Sequence, residues 1–132
     1  EFRRVLFRSK NFSKEHDFVH VYSSLPRSDY LGFLYNCGVL VGNSSSGIIE
    51  ASIIGTPVVN VGIRQLNRER GDNVIDVQNP ESRLIKKAII SALERVKKPT
   101  KTYRTQNAGK NIVKILETIP LNSNLIEKKL SY

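Results

Sequence analysis

Apolar and polar residues fall into short alternating blocks along the chain. Residues 18–22, FVHVY, carry the β-branched and aromatic content of a short strand. Leu25-Pro26 then enforces an extended turn, and Ser28 can cap a helix starting at Asp29, with Leu31, Leu34 and Tyr35 at helical spacing. Gly38 ends that helix, and residues 39–41, VLV, read as a buried strand. A helix over residues 47–54 stops at Gly55, followed by a strand over 57–61, where Pro57 is tolerated at the first position. After a loop over 62–72, residues 73–77 predict a further strand. A helix over 81–98 presents Leu84, Ala88, Ile89, Leu93 and Val96 on one face, and Pro99 breaks it. A last helix over 107–118 presents Ala108, Ile112, Ile115, Leu116 and Ile119, and Pro120 closes it.

Strands alternating with helices predict an α/β, Rossmann-like fold: a parallel sheet with helices on both faces. In such a sheet ligands bind beyond the carboxyl ends of the strands. Three predicted strand ends carry polar groups there: residues 23–25, 43–47 and 62–68.

The 43–47 turn, Asn-Ser-Ser-Ser-Gly, joins a strand to a helix. Unpaired N–H groups at a helix start attract a phosphate, and small side chains let its oxygens come close. One hydroxyl suffices for a cap, whereas this turn holds three serines. Ser44 and Ser45 are therefore candidates for phosphate contact. With Ser46 as the cap, the reciprocal capping position would be Ile49, which leaves Glu50 outside that role. Its carboxylate can accept hydrogen bonds from the two hydroxyls of a ribose. Arg64 leaves the next strand toward the same rim, where a guanidinium can fork onto phosphate oxygens. Arg68 and Arg70 are read as loop charges paired with Glu69 or Asp72. No Gly-Lys-Ser/Thr follows the turn, so it is no Walker A loop. His16 and His20 lack partners at metal-ligand or triad spacing, and no metal or cofactor is expected.

Composition refines this picture. The 132 residues are 39% apolar, enough for one domain with its own core, and include no methionine, as expected of a piece of a longer protein. Residues 1–9, EFRRVLFRS, look like translated adapter sequence and are read as non-native. Without their three Arg and one Glu the formal charge falls from +9 to +7. The expected layout is thus a nucleotide-binding domain over 10–120 and a tail over 121–132. No apolar run approaches the roughly 20 residues that cross a bilayer. The single cysteine, Cys37, fits a reducing cytoplasm and a packed thiol. From Arg83 to Tyr132 there are twelve Lys or Arg against three Glu. No interleaved aromatics offer stacking platforms, so solvated helix faces are favoured over a nucleic-acid surface.

VGNSSSGIIEA, GTPVVNVG and RQLNRERGDNV, in that order, resemble the C-terminal domain of the hydrolysing UDP-N-acetylglucosamine 2-epimerases. The resemblance runs from about residue 18 to 119. It implies the C-terminal half of a two-domain, GT-B-like enzyme that grips UDP between its halves. Ser44 and Ser45 would then meet the diphosphate, Glu50 the ribose, Arg64 the UDP, and the backbone of Leu25 the uracil. Non-hydrolysing relatives carry Asp-Ser-Gly-Gly and Gln-Glu-Glu, and this chain's Asn-Ser-Ser-Ser-Gly with a single Glu50 favours the hydrolysing branch. Ser24 stands where animal bifunctional members have a feedback histidine, so no feedback site carries over. The implied reaction removes the C2 proton as UDP leaves C1, then adds water to the glycal to release N-acetylmannosamine. Its proton-moving groups would lie in the other domain, the catalytic residues being absent here. The partners implied are a UDP-linked acylamino sugar, that missing domain and a second copy of the protein. A diacetylbacillosamine nucleotide as substrate, a UDP-sugar glycosyltransferase half and a non-enzymatic basic binding module remain as alternatives.

Overall fold

The computed structural model describes residues 2–102 and 107–120; the tail expected over 121–132 lies outside the described residues. The chain divides into two compact units, Glu1–Phe33 and Leu34–Tyr132.

The first unit holds α1 (Phe2–Glu15) and the opening turns of α2 (Arg27–Asn36). Residues 18–22 form no strand, contrary to the sequence pattern. A strand exists only where a neighbour supplies a ladder, and pairing in the described sheet involves only residues 40–42, 58–61 and 74–77. Phe18 and Tyr22 are exposed, and their rings stack locally instead: Phe18 5.4 Å from His16, Tyr22 5.8 Å from Phe33. Helix α2 also starts earlier than the expected Ser28 cap. The Pro26 carbonyl accepts from Tyr30 N at 3.0 Å, so the first turn forms at Arg27, while Ser28 Oγ donates to Asp29 Oδ1 inside the helix.

The second unit is built on a parallel sheet in the order β1 (Leu40–Gly42), β2 (Val58–Val61), β3 (Val74–Val77). Leu40 pairs with Val58, and Val58 with Val74. Successive side chains of β2 point to opposite faces. On one face Val59 packs with Val77 and with Ala88 and Ala92 of α5 (Ser82–Leu93). On the other, α3 (Ser45–Ile48) comes so near that a Cβ on Gly47 would stand 3.0 Å from Val58 Cγ1. The parallel sheet with helices on both faces is thus present as expected. The predicted buried strand at 39–41 is displaced to Leu40–Gly42, and Val41 is 42% exposed. As an end strand of the described sheet, β1 has one pairing partner, so less of it is covered.

The helix expected over 47–54 starts sooner and is interrupted. Ser44, and not Ser46, is its cap, and α3 passes at Ile49 into α4 (Glu50–Ile54). Gly55 ends it as expected, in the left-handed region at φ 90°, where its N–H reaches Ala51 O at 2.7 Å. The helix expected over 81–98 stops at Leu93, and the side chains that follow reach main-chain carbonyls elsewhere in the fold. Arg95 Nη1 donates to Asp72 O at 2.8 Å, and Lys97 Nζ to Tyr35 O at 2.5 Å. Leu93 and Val96 are consequently exposed, and Ala92 takes the buried place assigned to them. Arg83, Lys86 and Lys87 do lie on a solvated helix face. Helix α6 (Ala108–Thr118) forms where expected, but it buries no residue: Ile112, Ile115 and Leu116 are all more than half exposed. Among the described residues no helix is long and apolar enough to cross a membrane.

Candidate functional site

Parallel strands need a crossover, and each crossover here leaves its polar groups at the carboxyl end of the sheet. After β1 the chain turns through Asn43 and Ser44 into α3. The Ser44 hydroxyl accepts from Ser46 N at 3.3 Å, and the Ser44 carbonyl from Gly47 N at 3.1 Å. Two amides that a phosphate would use are therefore already engaged, the one at Ser46 through a long bond. Helix α3 is a single turn, so its macrodipole is small and local N–H groups and hydroxyls carry most of any attraction for an anion. Ser44 is exposed and Ser45 half-buried. Glu50 is half-buried in the first turn of α4.

After β2 the chain runs through Gly62 and Ile63 to Arg64, which is exposed. Its neighbour Gln65 is only 3% exposed, and its Nε2 donates to Asn43 O at 2.8 Å. That bond brings the backbone at Arg64 and Gln65 against the start of the serine turn. The convergence expected of these two strand ends is therefore present in the second unit. Leu25, half-buried, belongs to the first unit and ends no strand.

Sequence reasoning missed the groups that shape this rim. Arg70 pairs with Asp76, a partner that the sequence reading did not offer. Its Nε stands 2.8 Å from Asp76 Oδ2, a contact in which the N–H does not point along the line of approach. Nη2 donates to Gln65 O at 2.6 Å, and Nη1 to Arg68 O at 2.8 Å. Asp76 Oδ1 in turn accepts from Asn60 Nδ2 at 2.6 Å. One signal was available: Asn60 and Asp76 each interrupt an apolar strand, and they are register partners across β2 and β3. Gln65 gave none, since a lone amide in a charged loop has no periodicity to betray its burial.

Cys37 is partly buried and its Sγ donates to Leu34 O at 3.4 Å. Burial pushes its thiol above the ordinary range, against a smaller lowering by Lys97 and by a backbone hydrogen bond. A packed thiol, as expected, fits better than a nucleophile. A cavity of about 600 Å³ opens at the other, amino-terminal edge of β2 and β3, lined by Gly55, Pro57, Asn73, Arg95, Lys98 and Thr100 among others. None of the candidate site residues lines it.

Comparison with known proteins agrees with the motifs at the carboxyl rim. The profile of the family described as UDP-N-acetylglucosamine 2-epimerase matches residues 2–117. A hydrolysing UDP-N,N'-diacetylbacillosamine 2-epimerase of Legionella pneumophila is 39% identical over 123 residues, covering 89% of this chain and 31% of that protein. The polysialic acid biosynthesis protein P7 of Escherichia coli is 36% identical over 120 residues, covering 87% and 30% respectively. A UDP-N-acetylglucosamine 2-epimerase of Neisseria meningitidis is 46% identical over 46 residues, 35% of this chain and 12% of that protein. The chain thus spans less than a third of the length of these relatives. With its parallel sheet, serine turn and arginine loop, this chain belongs to the UDP-N-acetylglucosamine 2-epimerase family.

Proposed function

We propose that this chain is the C-terminal, UDP-holding part of a hydrolysing UDP-sugar 2-epimerase. The observation that carries the proposal is the Gln65–Asn43 hydrogen bond, which sets the Arg64 loop beside the serine turn at the carboxyl edge of the sheet. Ser44, Ser45 and Arg64 hold the diphosphate, and Glu50 accepts from the ribose hydroxyls. When UDP departs from the sugar, negative charge grows on its β-phosphate. A guanidinium and hydroxyls fixed beforehand stabilise that charge more as the bond lengthens, which is the condition for lowering a barrier. The long bond at Ser46 N can be exchanged for a phosphate oxygen at small cost.

The proton-moving groups belong to the portion of the family that this chain does not span, and the 132-residue chain alone turns over no UDP-sugar. Measurable release of UDP by the purified chain would overturn that division of labour. A UDP-linked diacetylamino sugar is a second candidate substrate, supported by the name of the Legionella relative. The site acts in the cytoplasm, where nucleotide sugars are made.

Calorimetric titration with UDP tests the proposal. Binding that weakens about 10–100-fold in Arg64→Ala supports it. Affinity indifferent to both Arg64→Ala and Glu50→Ala contradicts it.

A further inference from the structure

We propose that Gln65 is a positioning residue, whose buried amide fixes the 43–47 turn against the Arg64 loop before any ligand arrives. The proposal rests on the diphosphate reading of this rim and goes beyond it, naming a residue that works without touching ligand.

Gln65 is buried to within 3% of complete cover, although Arg64 and Leu66 on either side are exposed. Its Nε2 holds Asn43 O at 2.8 Å, while its own main-chain carbonyl is held by Arg70 Nη2 at 2.6 Å. Arg70 is itself anchored by Asp76, and Asp76 by Asn60 on the central strand. A continuous polar chain thus runs from the sheet core, through Arg70 and Gln65, to the residue that precedes the Ser44 cap. The second amide atom, Gln65 Oε1, is buried with no hydrogen-bond partner among the described residues. An orphaned buried acceptor destabilises a fold, so an apolar side chain of the same shape would serve stability better. What the amide supplies, and an apolar side chain cannot, is the directional bond to Asn43. Positioning of the turn is the property that this bond adds, at some expense of stability.

The test compares the unaltered chain with Gln65→Met, which keeps the shape and removes both polar atoms. Amide hydrogen exchange of the ligand-free chain is followed by NMR, together with thermal unfolding. Exchange at Ser45, Ser46 and Gly47 is expected to rise about tenfold, with Val59 and Val77 unchanged and the unfolding temperature equal or higher. UDP affinity is expected to fall by a similar factor, and that fall should be smaller in the Arg64→Ala background, since Gln65 acts by setting the turn against Arg64. Unchanged exchange in the turn overturns the proposal, whether or not UDP binds. So do a rise spread evenly over the core and a loss of affinity fully additive with Arg64→Ala. If the unaltered chain takes up no UDP, the nucleotide reading fails and the exchange data alone decide the coupling. Gln65→Glu provides a second variant should the Met form not fold. Its carboxylate repels the Asn43 carbonyl, and its protonated form can donate again. Turn protection relative to the unaltered chain should therefore recover on acidification, through a range that burial raises above the ordinary value of about 4, and failure to recover counts against the proposal.

Discussion

Arg70 Nε lies 2.8 Å from Asp76 Oδ2, and this ion pair ties the loop after β2 to the third strand. The crossover between β2 and β3 contains no helix, so side chains hold it in place of a packed helical face. Arg70→Ala removes the ion pair and the donor to Gln65 O together. The two side chains are 22% and 34% exposed, so solvent screens part of the attraction. A loss of about 1–2 kcal/mol is expected, read as a lower urea midpoint at unchanged slope. An unchanged midpoint would show that the loop is held by other means.

Gly55 and Gly32 should respond oppositely to alanine. At Gly55, φ is 90° and a Cβ would stand 2.5 Å from Lys98 C and Pro99 N, both main-chain atoms. Gly55→Ala should therefore cost about 2–4 kcal/mol, through strain and displacement of the 98–100 segment. At Gly32, inside α2, a Cβ meets nothing within 4 Å. Gly32→Ala should stabilise the chain by about 0.5–1 kcal/mol. Equal effects in thermal melts would contradict the placement of the 98–100 segment.

Burial separates two apolar residues that look alike in the sequence. Val59 is fully buried at the centre of the sheet, whereas Ile115 on α6 is 57% exposed. Val59→Ala should cost about 2–3 kcal/mol, while Ile115→Ala should stay within about 0.5 kcal/mol. Denaturant unfolding of both variants checks this. A large cost at Ile115 would mean that its face is covered in solution.

Cys37 should react slowly with alkylating reagents at neutral pH. Burial raises its thiol above the ordinary range and so suppresses the thiolate. Its rate should climb only at pH values above those that ionise a free cysteine. By linkage, the folded state keeps this proton longer than the unfolded chain does. The resulting stabilisation is full below the ordinary thiol range and is lost as pH rises through the folded value. Alkylation at neutral pH as fast as that of a free cysteine would contradict the burial.

Elements whose pattern coincided with their packing were legible in the sequence. Val58–Val61 and Val74–Val77 are apolar runs bounded by Gly, Pro and Asn, and both are strands. Gly55 ended its helix where expected, because a left-handed residue is a local requirement. Residues 18–22 failed because strand propensity cannot supply a ladder partner. Leu93 and Val96 failed because Arg95 and Lys97 find carbonyls 23 and 62 residues away, and no helical period encodes that. Ser44, Ser45, Glu50 and Arg64 are candidates on side-chain chemistry, which titration with UDP has to test. The polar chain through Asn60, Asp76, Arg70 and Gln65 depends on strand register, which the sequence leaves open.

Mapping UDP onto the amide NMR spectrum of the 132-residue chain addresses the central claim most directly. Saturating UDP should shift the resonances of Ser44, Ser45, Gly47 and Arg64 together, with Glu50 following, and leave Gly55, Asn73 and Thr100 at the opposite edge of the sheet unmoved. Shifts confined to that opposite cavity, or an unchanged spectrum, would contradict a diphosphate site between the serine turn and Arg64.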